Sequence, residues 1–144
     1  MSKKIQILRN KFSKYNIDGY VIPKNDDYFT EYSKINRLKI VSNFNGSAGI
    51  AVILKKKNYL FVDGRYTIQA KIECGKEFII LDYNKIINCK VFKDLRIGFD
   101  PKLFTSDQVK KIFSNNRPKP LKKNLVSEIV NFKQKKNKTF LLSR

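Results

Sequence analysis

No histidine occurs among the 144 residues. Imidazole is the side chain that titrates near neutral pH and a common metal ligand. Its absence excludes a Ser-His-Asp or Cys-His catalytic arrangement and every metal site that needs an imidazole. Cysteine is scarce too: Cys74 and Cys89 form no Cys-x-x-Cys pair, and two such thiols in a cytoplasmic chain are expected free rather than bridged. No apolar run approaches the roughly 20 residues of a membrane span. The start, Met1-Ser2-Lys3-Lys4, leads into an amphipathic pattern and not into the apolar stretch of a signal peptide. The expectation is a cytoplasmic protein with no membrane partner. Acidic residues are the last shortage: 12 Asp+Glu against 31 Lys+Arg, a net charge of +19 at pH 7. A field of that sign attracts polyanions. The joint excess of Lys, Asn and Ile is also what A/T-rich coding DNA produces, so charge alone predicts no specific nucleic-acid partner.

What is present describes a folded α/β domain. Hydrophobic residues make up 42% and aromatics 12%, which argues against disorder. A chain of this length is one domain and buries about two-thirds of its unfolded surface. The organising stretch runs from Val41 to Tyr66. Gly46, Ser47, Ala48 and Gly49 stand in succession, then comes the apolar run Ile50 to Leu54, a polar loop of Lys55, Lys56, Lys57 and Asn58, and a second run Tyr59 to Val62, stopped by Asp63-Gly64. Short β-branched runs bounded by turn residues read as buried strands. Together they predict a β-hairpin at the centre of a sheet.

Around it, Ile5, Leu8, Phe12 and Tyr15 have helical spacing, with Ser2 as cap and Asn16 as a left-handed stop. Gly19 to Ile22 predicts a strand ended by Pro23, and Tyr28 to Tyr32 suggests one helical turn. Tyr66 to Cys74 is ambiguous. Tyr66, Ile68, Ala70, Ile72 and Cys74 alternate with polar residues, which favours a strand. The same residues tolerate a helix capped by Asp63, with Tyr66/Ala70/Cys74 and Ile68/Ile72 as two buried stripes. Phe78 to Leu81 and Arg96 to Phe99 predict strands. Thr105 with Gln108 predicts a capping box opening a short helix. A weak strand around Leu121 precedes a last helix over Leu125, Val126, Ile129, Val130 and Phe132, capped by Asn124. The domain is placed at residues 1–132, followed by a basic tail, 133–144.

Ser42-Asn43-Phe44-Asn45-Gly46-Ser47-Ala48-Gly49 followed by Val62-Asp63-Gly64-Arg65-Tyr66 resembles the N-terminal, creatinase-like domain of Xaa-Pro aminopeptidase (aminopeptidase P). Asp18 to Pro23, Glu31-Tyr32, Ile97 to Pro101 and Asn124 to Val126 fall in the family's order, so the resemblance covers about nine-tenths of the chain. It implies a mixed, largely antiparallel sheet flanked by helices, of ribonuclease H-like architecture, and it implies a helix over Tyr66 to Cys74, which is the reading adopted. In the family, a C-terminal domain removes an N-terminal residue preceding proline, using two metal ions held by two Asp, one His and two Glu. Nothing here matches those ligands. The chain alone is therefore expected to be non-catalytic, with no catalytic residue, no metal ligand and no cofactor. It is expected to be the product of a truncated or split gene, or a docking or oligomerisation subunit. Its expected partners are a second copy or a separately encoded catalytic domain.

The candidate contact residues are Arg65 and Asp63. A guanidinium at a strand end suits bidentate binding of a peptide carboxylate or a neighbouring subunit; the competing reading is an internal Arg65–Asp63 pair that orders the turn. Gly46, Ser47 and Gly49 offer backbone N–H groups to an anion or form a tight turn into the strand. Two other function classes compete with this one. A two-metal nuclease needs clustered carboxylates, and Asp18, Asp63, Asp82 and Asp100 lie near predicted strand ends without a grouping motif. A basic nucleic-acid-binding module is the alternative function: Tyr59-Leu60-Phe61-Val62 offers alternate aromatics but lacks the ribonucleoprotein spacing.

Overall fold

A computed structural model describes residues 3–24, 37–46 and 49–129. The expected features on Ser2, Tyr28 to Tyr32, Ser47, Ala48, Val130, Phe132 and the tail 133–144 lie outside the described residues. The chain opens with helix α1 (Lys3–Asn10) and the short α2 (Phe12–Tyr15). Ile5, Leu8 and Phe12 are buried as their spacing predicts. Asn16 ends the pair in a left-handed conformation (φ 56°), its N–H returning to Phe12 and Ser13 carbonyls.

Among the described residues six strands follow: β1 (Gly19–Pro23), β2 (Ile50–Leu54), β3 (Asn58–Val62), β4 (Ile79–Asp82), β5 (Arg96–Phe99) and β6 (Arg117–Pro120). They form one sheet in the order β4-β3-β2-β1-β5-β6. The hairpin is as expected: β2 and β3 are antiparallel, with Ala51 opposite Leu60 and Val52 opposite Tyr59. β1 is antiparallel to β2, Val21 facing Val52. The three remaining neighbour pairs, β1–β5, β3–β4 and β5–β6, are parallel. The sheet is mixed, but "largely antiparallel" overstates it: antiparallel pairing is confined to the three central strands. The parallel pairs arise because a helix or long loop separates the strands concerned, returning the chain to the same end of the sheet.

Side chains alternate between two cores. Tyr20, Ile22, Ala51, Ile53, Leu60 and Val62 face one side, where α1, α3 (Arg37–Ser42), α4 (Thr67–Cys74) and a helical segment at 125–129 cover them. Val21, Val52, Tyr59, Phe61, Ile97 and Phe99 face the other side, under the 83–92 connection and α5 (Ser106–Ile112). Every residue of β1, β2 and β3 is buried, as expected for central strands covered on both faces.

Helix α3 is unexpected. Its six residues pack Leu38 and Val41 inward, and Ser42 Oγ closes it by donating to the Leu38 carbonyl at 2.6 Å and accepting from Phe44 N–H at 3.1 Å. The Tyr66–Cys74 segment is helical, as the resemblance implied. Gly75 follows it closely enough that a Cβ there would lie 2.4 Å from the Lys71 carbonyl oxygen. The second buried stripe is corrected: Ile68 and Ile72 are 76% and 81% exposed, while Ala70 and Cys74 are buried. One eight-residue helix lying on a sheet has a single inward face. Asn58, expected in the loop, opens β3 and is buried, with Oδ1 accepting from Arg9 at 2.6 Å and Nδ2 donating to the Glu77 carbonyl at 3.1 Å. The Thr105/Gln108 capping box forms in both directions. Asn124 Oδ1 accepts from the N–H groups of Val126 and Ser127. The buried Tyr20 hydroxyl accepts from Leu125 N–H at 3.3 Å, fixing the 125–129 helix to the sheet.

Candidate functional site

β3 and β4 run parallel and finish together, Val62 paired with Asp82. Each ends in an aspartate that caps a single helical turn. Asp63 Oδ1 accepts from Arg65 N–H at 2.9 Å and Asp82 Oδ1 accepts from Asn84 N–H at 3.0 Å. Between them is a depression of about 440 Å³ lined by Asp63, Gly64, Asp82, Tyr83 and Asn84. Asp100 makes the same turn at the end of β5, accepting from Lys102 N–H at 3.0 Å. Extended backbone at the Asp, followed by N–H groups turning back toward its carboxylate, is the local geometry that this residue type favours.

Both candidate contact residues lie on this rim. Arg65 Nε donates to Asp63 Oδ1 at 3.3 Å, and the guanidinium sits 5.6 Å from the Tyr66 ring centroid. The Arg65 side chain nevertheless keeps 79% of its surface exposed, against 49% for Asp63. The Asp63 carboxyl is held below its ordinary range, first by the Arg65 N–H and then by the Arg65 side chain. The pair thus orders the turn and also presents a fixed cation to solvent.

The glycine-rich stretch reaches the same region through packing. A Cβ on Gly46 would fall 2.1 Å from the Phe44 ring. That ring is fully buried and meets Tyr66 edge-on at 6.2 Å. Lys24 Nζ donates to the Gly46 carbonyl at 2.8 Å, and Lys24 N–H donates to the Gly49 carbonyl at 3.1 Å. Asn45 is tied to α4 by two bonds to Glu73, one from its N–H at 3.0 Å and one from Nδ2 at 3.1 Å. These bonds, the backbone one first, hold the Glu73 carboxyl below its ordinary range. Gly46 therefore allows a close approach between a loop and an aromatic ring.

The four carboxylates weighed for metal chemistry do not converge. Asp63 and Asp82 share one rim. Asp100 lies at the end of β5 and accepts from Asn124. Asp18 stands at the opposite end of the sheet, immediately before β1, ion-paired to Arg96 and Lys55. Among the described residues no three His, Cys, Asp or Glu side chains gather around a point. The aromatic platform is likewise closed: Tyr59 and Phe61 are buried beneath Phe92, whose ring meets theirs edge-on at 5.9 and 5.8 Å. Sequence reasoning missed the outward face of α4. The signal was available, since Ile68 and Ile72 are spaced i, i+4 and so are Ala70 and Cys74, and a single helix cannot bury both pairs against one sheet.

The sequence profile described as the creatinase/prolidase N-terminal domain matches residues 4–128. The chain is 34% identical over 140 aligned residues to a probable Xaa-Pro aminopeptidase P of Coprinopsis cinerea, covering 87% of this chain and 22% of that protein. It spans about a fifth of the length of the curated relatives it matches. In structure it is similar to an X-prolyl aminopeptidase of Caenorhabditis elegans, described as a cytosolic enzyme with a di-nuclear active site. The TM-score is 0.70 at 24% identity, covering 89% of this chain and 25% of that one. The N-terminal domain of the cytoplasmic peptidase PepQ of Mycobacterium tuberculosis superimposes with a TM-score of 0.67 at 18% identity, covering 89% of this chain and 98% of that one. Among the described residues no helix is long and apolar enough to cross a membrane.

Proposed function

The chain belongs to the creatinase/prolidase N-terminal domain family, and from that premise we propose that it serves as the non-catalytic N-terminal unit of an Xaa-Pro aminopeptidase in the cytoplasm. The family's reaction removes an N-terminal residue preceding proline. In this reading its metal ions and reacting groups belong to a separate catalytic part, and this chain contributes a folded surface to that part or to a neighbouring subunit. The observation that carries the reading is the alignment itself. Seven-eighths of the chain matches a protein of which it is about a fifth, and the matched segment is a whole two-sided sheet with both cores filled. The complete lack of histidine supports placing the chemistry elsewhere, as does the division of the carboxylates between opposite rims. Two free thiols, Cys74 and Cys89, accord with a reducing compartment.

The reading divides into a docking subunit and a product of a split or truncated gene. The DNA immediately downstream distinguishes them: an adjacent frame carrying the histidine and acidic ligands identifies a split gene. Native affinity purification from the source cells tests the shared claim. Xaa-Pro hydrolysis with added manganese is expected to co-elute with the tagged chain. A chain that elutes alone and without activity contradicts the proposal.

A further inference from the structure

We propose that the end of the sheet around the Lys55–Asn58 turn binds the phosphate backbone of duplex nucleic acid without reading its sequence. This goes beyond the aminopeptidase reading and does not depend on it.

Strand direction gathers the cations. β2 alone runs against the other five strands. The β2–β3 turn therefore lies at the end of the sheet where β1, β4 and β5 start. Two depressions adjoin that turn. One, of about 290 Å³, is lined by Lys56, Lys57 and Lys76, with Asn58, Glu77 and Ile79. The other, of about 380 Å³, is lined by Arg9, Lys55 and Arg96. The depression at the far end of the sheet, between Asp63 and Asp82, is lined by two carboxylates and no cation. A coding bias toward lysine adds charge over the whole surface; it does not explain why three cations line each hollow at one end and none lines the hollow at the other.

The second depression is held rigid. Arg9 Nε donates to the Leu54 carbonyl at 2.7 Å and its terminal nitrogen to Asn58 at 2.6 Å, while Arg96 and Lys55 grip Asp18. In the first, Lys56, Lys57 and Lys76 are exposed, and Glu77 forms no ion pair with them.

Several features select the occupant. An ammonium on a flexible stem suits phosphate as a point charge, whereas planar recognition of carboxylates favours arginine. The cations run from the start of β4 to the start of β5, four strand spacings or about 19 Å. Over that length one strand of a duplex presents about six phosphates. Binding single strands uses exposed aromatic rings on which bases stack. Among the described residues the one exposed aromatic side chain, Tyr83, lies at the opposite end of the sheet. Ile79 is the only exposed large apolar residue lining either depression, too little to enter a lipid surface. Lysine contacts to phosphate carry no sequence information.

Fluorescence anisotropy tests this with the full chain and two labelled DNA duplexes of unrelated sequence, from about 50 to 200 mM salt. Equal affinity for both duplexes is expected, falling steeply with salt. The triple variant K56Q/K57Q/K76Q should lose at least about tenfold in affinity at the middle of that range, and its salt slope should shrink by roughly 2 to 3. Glu77→Gln should raise the affinity. K102Q/K122Q/K123Q removes the same charge from exposed positions after β5 and β6, at the opposite end, and should change affinity less than about twofold. All these positions are exposed, and matching urea midpoints confirm that the variants fold. Equal losses from the two triple variants would overturn the proposal, because net charge alone would then account for binding. So would no binding at the lowest salt, tighter binding of a single strand than of the duplex, or tighter binding of phosphatidylserine vesicles than of the duplex.

Discussion

Asp18→Asn isolates the clamp that holds β1 against β5. Only two residues of β1, Gly19 and Tyr20, pair with β5. The Asp18 carboxylate reinforces them from below. Oδ2 accepts from Arg96 N–H at 2.9 Å and from Arg96 Nε at 3.2 Å, while Oδ1 accepts from a terminal guanidinium nitrogen at 3.2 Å. Lys55 Nζ approaches Oδ1 at 3.3 Å. This bidentate grip, chiefly the Arg96 side chain, lowers the Asp18 carboxyl from 3.8 to about 2. A carboxyl held that far down corresponds to roughly 2 kcal/mol of stabilisation at neutral pH. Solvent reaches the pair: the Arg96 side chain is 38% exposed and that of Lys55 63%. Screening reduces the realised contribution to about 1–2 kcal/mol. The sign is that of a depressed acid. The contribution is whole above the unfolded value near 3.8 and disappears as pH falls through about 2. Urea unfolding of the wild type and D18N at pH 7, 5, 3 and 2 is the assay. The difference in unfolding free energy should be about 1–2 kcal/mol at pH 7 and 5, smaller at pH 3 and nearly gone at pH 2. Equal stability at pH 7, or a gap that does not change with pH, would refute the reasoning.

Phe92→Ala removes the buried ring that covers Tyr59 and Phe61 and should cost about 3–5 kcal/mol in urea unfolding; a loss below about 1 kcal/mol would mean the second core is packed otherwise. Ile72→Glu should leave stability within about 0.5 kcal/mol of wild type, and a larger loss would mean that α4 packs inward through this residue. Burial pushes the Cys74 thiol up to about 11, so a disulfide reagent at pH 8 should label Cys89 in the native protein and Cys74 only after unfolding; rapid native labelling of both would contradict the placement of α4.

The hairpin was legible because its signals are local: β-branched runs, a lysine turn and an Asp-Gly stop all lie within the 15 residues from Ile50 to Gly64. The caps at Thr105 and Asn124 were legible for the same reason. What escaped was decided by distant partners. Asn58 looks like a turn residue until Arg9 and the Glu77 carbonyl are brought to it. The parallel neighbours of β1 and β3 depend on where long connections return, which no window of sequence contains. Tyr66 to Cys74 alternates apolar and polar residues only because two of its isoleucines point outward. Inward burial was assumed for every apolar residue, and that assumption hid the outward face of α4. The Asp63–Arg65 turn was readable as chemistry; how much of the guanidinium remains in solvent was a matter of packing.

Whether this chain performs chemistry is settled by purifying it and supplying an Xaa-Pro peptide with manganese. No release of the N-terminal residue should be measured at any enzyme concentration. Turnover that scales with the chain and is abolished by a chelator would contradict the account.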